Sequence, residues 1–266
     1  MNVEGGTIGR RAFIGKTASF LLGTWLGLDT LSTAMAFGFR KTPPLAKSVI
    51  SLIIDDMGYS LSRTEQFLNL EIPLTFSILP RLPRSEKVAL EIHAQGHEIM
   101  LHQPMQPYNA DLDPGPGALY VGDGTKKITR IVEENISSLP FISGVNNHMG
   151  SRFTECQREM GAVLRVIKKR GLHFIDSLTT SHSKAYTTAK SLHMPAAQRN
   201  IFLDNLPHES AILFQLNKLK KHALKYGRAI GIGHPHPETA RAIFRFRKDL
   251  GDSGPALVYI SQVIRV

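Results

Sequence analysis

The chain has 266 residues, 42% of them apolar and 20% charged; it can bury a full core, which excludes an intrinsically disordered chain, a collagen-like repeat and a coiled coil. Its one cysteine, Cys156, excludes an internal disulfide framework and every multi-cysteine metal site. The net charge of +10 suits an anionic partner, but the basic residues are spread along the chain; the eleven histidines mean that a bound metal would be held by imidazole and carboxylate.

Residues 1–36 read as an address. Arg10-Arg11-Ala12-Phe13-Ile14-Gly15-Lys16 precedes a mildly apolar stretch, Thr17 to Leu28, and a small-residue run ends in Ala34-Met35-Ala36. Basic, apolar and A-x-A parts in that order form a cleavable secretory signal, and the paired arginines look like a twin-arginine signal. Gly23, Thr24, Gly27 and Asp29 make the apolar stretch too short and polar for a stable membrane span. The expectation is an exported, periplasmic protein whose residues 37–47, with Pro43-Pro44, are a linker into a domain over 48–266.

Val49 to Ile54 is a short β-branched run, the pattern of a buried parallel strand, and Leu61 to Leu70 then takes helical spacing. Leu74 to Leu79 is a second strand, Ser85 a cap for a helix over Glu86–Gln95, and His97 to Leu101 a third strand. A Pro/Gly-rich loop, Gln103 to Gly124, is long enough to be functional or mobile. Helices follow over Ile128–Ser138, Glu155–Arg170, Ser210–Tyr226 and Pro237–Asp249. Strands are expected around Val145 and over Leu172–Ile175, Asn200–Leu203, Ala229–Gly233 and Ala256–Ile260. Strands alternating with helices predict a single α/β domain, a distorted (β/α) barrel of about seven parallel strands.

Asp55, Asp56, His102, His148, Asp176, Asp204 and His234 each fall just beyond a predicted strand. In a parallel barrel those ends open on one face, where active sites sit. Neighbouring residues leaving a strand point in different directions, so of Asp55-Asp56 one carboxylate is expected on a metal and the other toward substrate. An Asp with two imidazoles leaves an open position on a zinc-like ion. His93 and His97 read as structural. Asp176 and Asp204 read equally well as turn caps.

These segments resemble the polysaccharide deacetylase superfamily, and its divergent branch in particular, over nearly the whole chain from about Ser48. Ile53-Ile54-Asp55-Asp56-Met57-Gly58 looks like the first superfamily motif, and Gly96-His97-Glu98-Ile99-Met100-Leu101-His102 like the second. Asn147-His148-Met149-Gly150-Ser151, Phe174-Ile175-Asp176-Ser177 and Phe202-Leu203-Asp204-Asn205 match the divergent branch, and Gly231-Ile232-Gly233-His234-Pro235 resembles the last motif. The resemblance implies a polysaccharide deacetylase-like fold with Asp55 as base, Asp56 and His102 on the metal, and His234 as general acid. The superfamily's usual second metal histidine falls at Gln106, and an amide is a poor zinc ligand. The expected metal set is therefore Asp56, His102 and His148. Asp176, Asp204 and Gln106 are placed around it or against substrate, with Asp176 orienting His234 or a ligand histidine.

The function implied is a metal-dependent hydrolase, with zinc as its divalent metal, that removes N-acetyl groups from an envelope polysaccharide or peptidoglycan. The alternative is a non-catalytic glycan-binding or scaffold protein that keeps the fold; Gln106 favours it, whereas Asp55 and His234 together favour the enzyme. No nucleic-acid partner is expected of an exported chain. Lys218, Lys220, Lys221 and Lys225, with Arg241, Arg245, Arg247 and Lys248, offer peripheral contact with a membrane or an anionic glycan.

Overall fold

The computed structural model describes residues 48–251 and 254–264; the expected leader over 1–36 and linker over 37–47 lie outside them. The first half of the domain runs β1 (Val49–Met57), α1 (Leu61–Leu68), β2 (Thr75–Ile78), α2 (Ser85–Ala94), β3 (Glu98–Met105), α3 (Thr125–Ser137) and β4 (Ile142–Met149). It continues as α4 (Gln157–Lys169), β5 (His173–Asp176), α5 (Ala185–Ser191), β6 (Ala196–Gln198), β7 (Ile201–Phe202), α6 (Glu209–Tyr226), β8 (Arg228–Gly233), α7 (Pro237–Leu250), β9 (Ala256–Leu257) and α8 (Ile260–Ile264).

The strands lie side by side in the order β6-β5-β4-β3-β2-β1-β8-β7, all parallel, with β9 added at the start of β1. The two edges of this sheet are consecutive in the chain. The segment Ala196–Phe202 pairs first with β5, bends at Asn200, and then pairs with β8. Counted as one split stave, β6 and β7 complete the expected seven-stave distorted barrel, whose wall is incomplete at that seam.

Side chains alternate across a strand, so each stave feeds two layers. One face of β1, with Ile50, Leu52 and Ile54, packs outward with Phe67 of α1, Leu219 of α6 and Ile243 of α7 in the main cluster. The other face contributes Ile53 to a smaller inner cluster with Met100, Ile175, Ile230 and Ile232, together with Ile260 and Val263 of α8. α8 thus fills the floor of the barrel, and its first turns are tied to the strand starts: Thr75 Oγ1 and Glu98 Oε2 accept from the amides of Ile260 and Ser261. β8 meets α6 closely because residue 231 is glycine; a Cβ there would lie 2.7 Å from Leu219 Cδ2.

Several boundaries depart from expectation. β1, β3 and β4 run on to Met57, Met105 and Met149, so Asp55, Asp56, His102 and His148 sit in the last residues of strands rather than after them. Polar side chains do not interrupt a ladder made by the backbone, and His102 still pairs with Asn146 and Pro104 with His148. The long loop therefore starts at Gln106. Ser85 does not cap α2; its hydroxyl donates to Leu79 O at 2.5 Å and accepts from Leu82 N at 3.2 Å, closing the preceding turn. Extended backbone at Cys156 splits the expected Glu155–Arg170 helix into a short 3₁₀ turn and α4. α5 and β6 have no counterpart among the predicted elements, being segments too short to show a usable period. The last strand shrinks to Ala256–Leu257, because β1 is already paired on both sides and the chain turns under the barrel as α8.

Candidate metal centre and active site

The same alternation that builds the inner cluster places the polar residues above it. Two residues beyond Ile53, Met100 and Ile232 on the same faces come Asp55, His102 and His234, so the apolar interior gives way upward to an ionisable layer. Asp56 has the opposite parity and would point outward in a regular strand. The register of β1 against β2 shifts between Ile54 and Met57, and Asp56 adopts φ 56°, a bulge that turns its carboxylate back over the barrel. Instead of diverging as the sequence predicts, both carboxylates approach His102 Nε2, Asp56 Oδ1 at 3.2 Å and Asp55 Oδ2 at 3.6 Å.

His148 completes the group. Its Nδ1 lies 2.9 Å from Asp56 Oδ1 and 3.2 Å from His102 Nε2. Asp56 Oδ1 is buried, yet no donor is aligned on it as in a hydrogen bond. Three donor atoms about 3 Å apart, with the carboxylate oxygen unsatisfied, match ligands on one face around an ion with bonds of about 2.0–2.2 Å, with further positions open. Asp56, His102 and His148 therefore fit a divalent metal. Burial works against the charge on Asp56, but the two imidazoles outweigh it and hold its carboxyl well below the ordinary carboxylate range. Burial likewise opposes charge on His102, while Asp55 and Asp56 together keep its pKa above the ordinary histidine value.

Asp55 is 2% exposed and is held by Asn146, whose Nδ2 donates to Asp55 Oδ1 at 2.8 Å. His234 stands on the other side of the site. Asp204 grips it twice, accepting from the His234 amide at 2.6 Å and contacting Nδ1 at 2.9 Å, and Thr239 Oγ1 donates to the same carboxylate at 2.8 Å. With Nδ1 engaged, Nε2 is the nitrogen left to meet substrate. Burial lowers the basicity of His234, but the Asp204 carboxylate more than compensates and raises its pKa to about 9, so the ring is protonated at neutral pH. A cavity of about 380 Å³ opens between Asp56 and His234, with Gly58, Tyr59, Arg63 and His236 on its walls.

Asp176 does not orient His234 or a ligand histidine. It accepts from Leu178 N at 2.9 Å, Ser183 Oγ at 2.8 Å and Tyr186 N at 3.2 Å, which ties the loop after β5 to the start of α5. The orienting carboxylate is Asp204. Gln106 stands off the metal group: its Oε1 accepts from Val121 N at 2.8 Å and its backbone bonds Leu119, Arg152 and Phe153, so it clasps the long loop to the rim. Sequence reasoning misses two residues. Asn146 lies two residues before His148 and so on the same face of β4, a signal the period of two could have supplied. Arg199, at the seam, donates to Ser177 O at 2.7 Å and Leu178 O at 2.8 Å and stacks 3.7 Å above the Phe202 ring, with nothing in its polar context to announce it. Burial lowers its pKa to about 10, against the pull of Asp176 and Asp55, so it remains a cation near the site. Burial pushes the Cys156 thiol up, which leaves no activated nucleophile there. The C-terminal basic cluster is partly spent internally, since Arg241 and Arg245 both pair with Glu209.

Comparison with known proteins places this architecture. Residues 52–264 match the family model described as divergent polysaccharide deacetylase. The uncharacterized protein YibQ of Escherichia coli K12 is 30% identical over 210 residues, which cover 79% of this chain and 66% of that protein; the chain thus spans slightly under two thirds of that relative. The crystal structure of an uncharacterized protein from Agrobacterium tumefaciens C58 superimposes with a TM-score of 0.78 at 26% identity, covering 82% of this chain and 89% of that one. A structure described as T48 deacetylase with substrate shares the fold, with a TM-score of 0.52 at 14% identity over 82% of this chain and 91% of its own.

Proposed function

The chain belongs to the divergent polysaccharide deacetylase family, and from that premise we propose that it is a metal-dependent hydrolase that removes N-acetyl groups from an envelope polysaccharide such as peptidoglycan. The observation that carries the reading is the meeting, on one rim, of a three-donor group with a separate buried carboxylate and a separate protonated imidazole. Pure glycan binding has no use for that division of labour.

Asp56, His102 and His148 would hold the ion, and an Asp/His/His set suits zinc. The ion would supply Lewis-acid polarisation of the amide carbonyl and a more acidic water. Asp55, fixed by Asn146, accepts the proton of the attacking water. His234, fixed and kept protonated by Asp204, gives a proton to the leaving sugar nitrogen. Tyr59 and Arg63 at the mouth offer an exposed ring and a cation to the glycan. The twin-arginine-type leader supports an exported, periplasmic protein, and the lysines of α6 leave room for contact with an anionic envelope surface.

Acetate release from chitooligosaccharides and peptidoglycan fragments tests this. The zinc-loaded wild-type protein is expected to release acetate, Asp55→Asn to lose roughly 10²–10⁴-fold of that rate, and His102→Ala to lose metal and activity together. Glycan binding without acetate release by the loaded wild-type chain would establish the scaffold reading instead.

A further inference from the structure

Asn146 is fully buried, and its amide joins two groups to which the proposed function gives separate work. Nδ2 donates to Asp55 Oδ1 at 2.8 Å, and Oδ1 lies 2.7 Å from His102 Nδ1. A carboxylate oxygen only accepts, so Asp55 dictates which end of the amide faces it. The other end, facing His102, is then a carbonyl oxygen, which also only accepts. The neutral ring must therefore carry its hydrogen on Nδ1, and in that form Nε2 is left with a lone pair toward Asp56 and His148. Asp55 and His102 are each only 2% exposed, so little bulk water competes for these bonds. The link is built into the sheet, since Asn146 is the Cα partner of His102 in the β3–β4 ladder.

We propose that Asn146 is a positioning residue which, oriented by Asp55, locks His102 in the Nδ1–H form that leaves Nε2 free to ligate a metal ion. The amide ties the arrangement of the base to the readiness of a ligand on a neighbouring strand. Without it, the neutral ring is free to place its hydrogen on Nε2, where it would donate to Asp56 and be withdrawn from coordination. This rests on the reading of Asp56, His102 and His148 as metal ligands, but not on turnover.

The test uses the metal-free full chain labelled with ¹⁵N, with the His102 ring neutral and its resonances identified by their loss in His102→Ala. Two-bond ¹H–¹⁵N correlation of the wild type is expected to show the Nδ1–H form; an Nε2–H form would overturn the proposal outright. In Asn146→Leu the preference for Nδ1–H is expected to disappear, and zinc affinity, measured by competition with a chromophoric chelator, to fall roughly 10–100-fold. An unchanged ring form together with unchanged zinc affinity would overturn it as well. Should Asn146→Leu not fold, the smaller Asn146→Ser is judged by the same two readouts. The ring form is read without metal or glycan, so a chain that releases no acetate still decides the role of Asn146, and an unlocked ring leaves the acetate experiment standing.

Discussion

Asp176 and Asp204 look alike in sequence, each an acid after a short apolar run, yet only Asp204 meets His234. The difference lies in where the preceding strand sits: Asp204 follows the half-stave paired with β8, which carries His234 at its end, whereas Asp176 ends β5. That neighbourhood is set by sheet order, which no local pattern reports. The carboxylates of β1 are legible because they directly follow an apolar, β-branched run, and the three site histidines because each lies near the end of a predicted strand. Asn146 is not, since an asparagine near a strand end reads as a turn residue until the register reveals what faces it. At this scale the sharpest expectation concerns Asp204→Asn. Removing the carboxylate should bring the His234 pKa from about 9 back toward 6.5. The alkaline limb of kcat/KM for acetate release, which records loss of the general acid, should move to lower pH by the same amount. An alkaline limb that stays in place would assign the proton to another group.

At the scale of elements, the barrel is readable from alternation and composition, and the departures cluster where tertiary pairing outlasts local pattern. β1, β3 and β4 continue through polar residues because the neighbouring strand still offers its backbone. Along the rim, Asp56, Met149 and Leu178 take φ 56°, 52° and 50° near the ends of β1, β4 and β5. Such left-handed residues carry strain on the order of 1–3 kcal/mol each and gather at functional sites; here the one at Asp56 delivers a ligand. The seat of α6 on β8 is equally specific. Gly231→Ala puts a methyl 2.7 Å from Leu219 Cδ2 and 3.3 Å from Leu203 and Leu52, and should lower stability by about 1–3 kcal/mol in urea unfolding. The double variant Gly231→Ala with Leu219→Ala should then fall short of the sum of the two single losses, because the second change removes the clash made by the first. Strict additivity would mean that the helix simply rides outward.

For the molecule as a whole, the charges of the site make the metal-free protein's stability depend on pH in a defined direction. The folded-state pKa of His234 is raised from 6.5 to about 9, so its contribution is complete below pH 6.5 and is lost as pH rises through about 9. Asp56 and Asp204 are depressed below the ordinary carboxyl value of 3.8, so theirs is present above that value and lost as pH falls below it. Denaturant midpoints of the metal-free chain should therefore be highest on the mildly acidic side and decline between pH 6.5 and 9, with a shallower decline in Asp204→Asn. A midpoint that climbs over that interval would contradict the His234–Asp204 pairing.

The floor of the barrel carries its own consequence for how the protein is made. Ile260 and Val263, which fill the inner cluster from below, lie in α8, later in the chain than every strand they pack against. While a ribosome is still adding those residues, the chamber beneath the ionisable layer has no base, and Ile53, Met100 and Ile232 have nothing to close against. Completion of the interior thus waits until Ile260 and Val263 have been made, and a nascent chain cut short before Ile260 should remain sensitive to protease however many of its strands have already been synthesised.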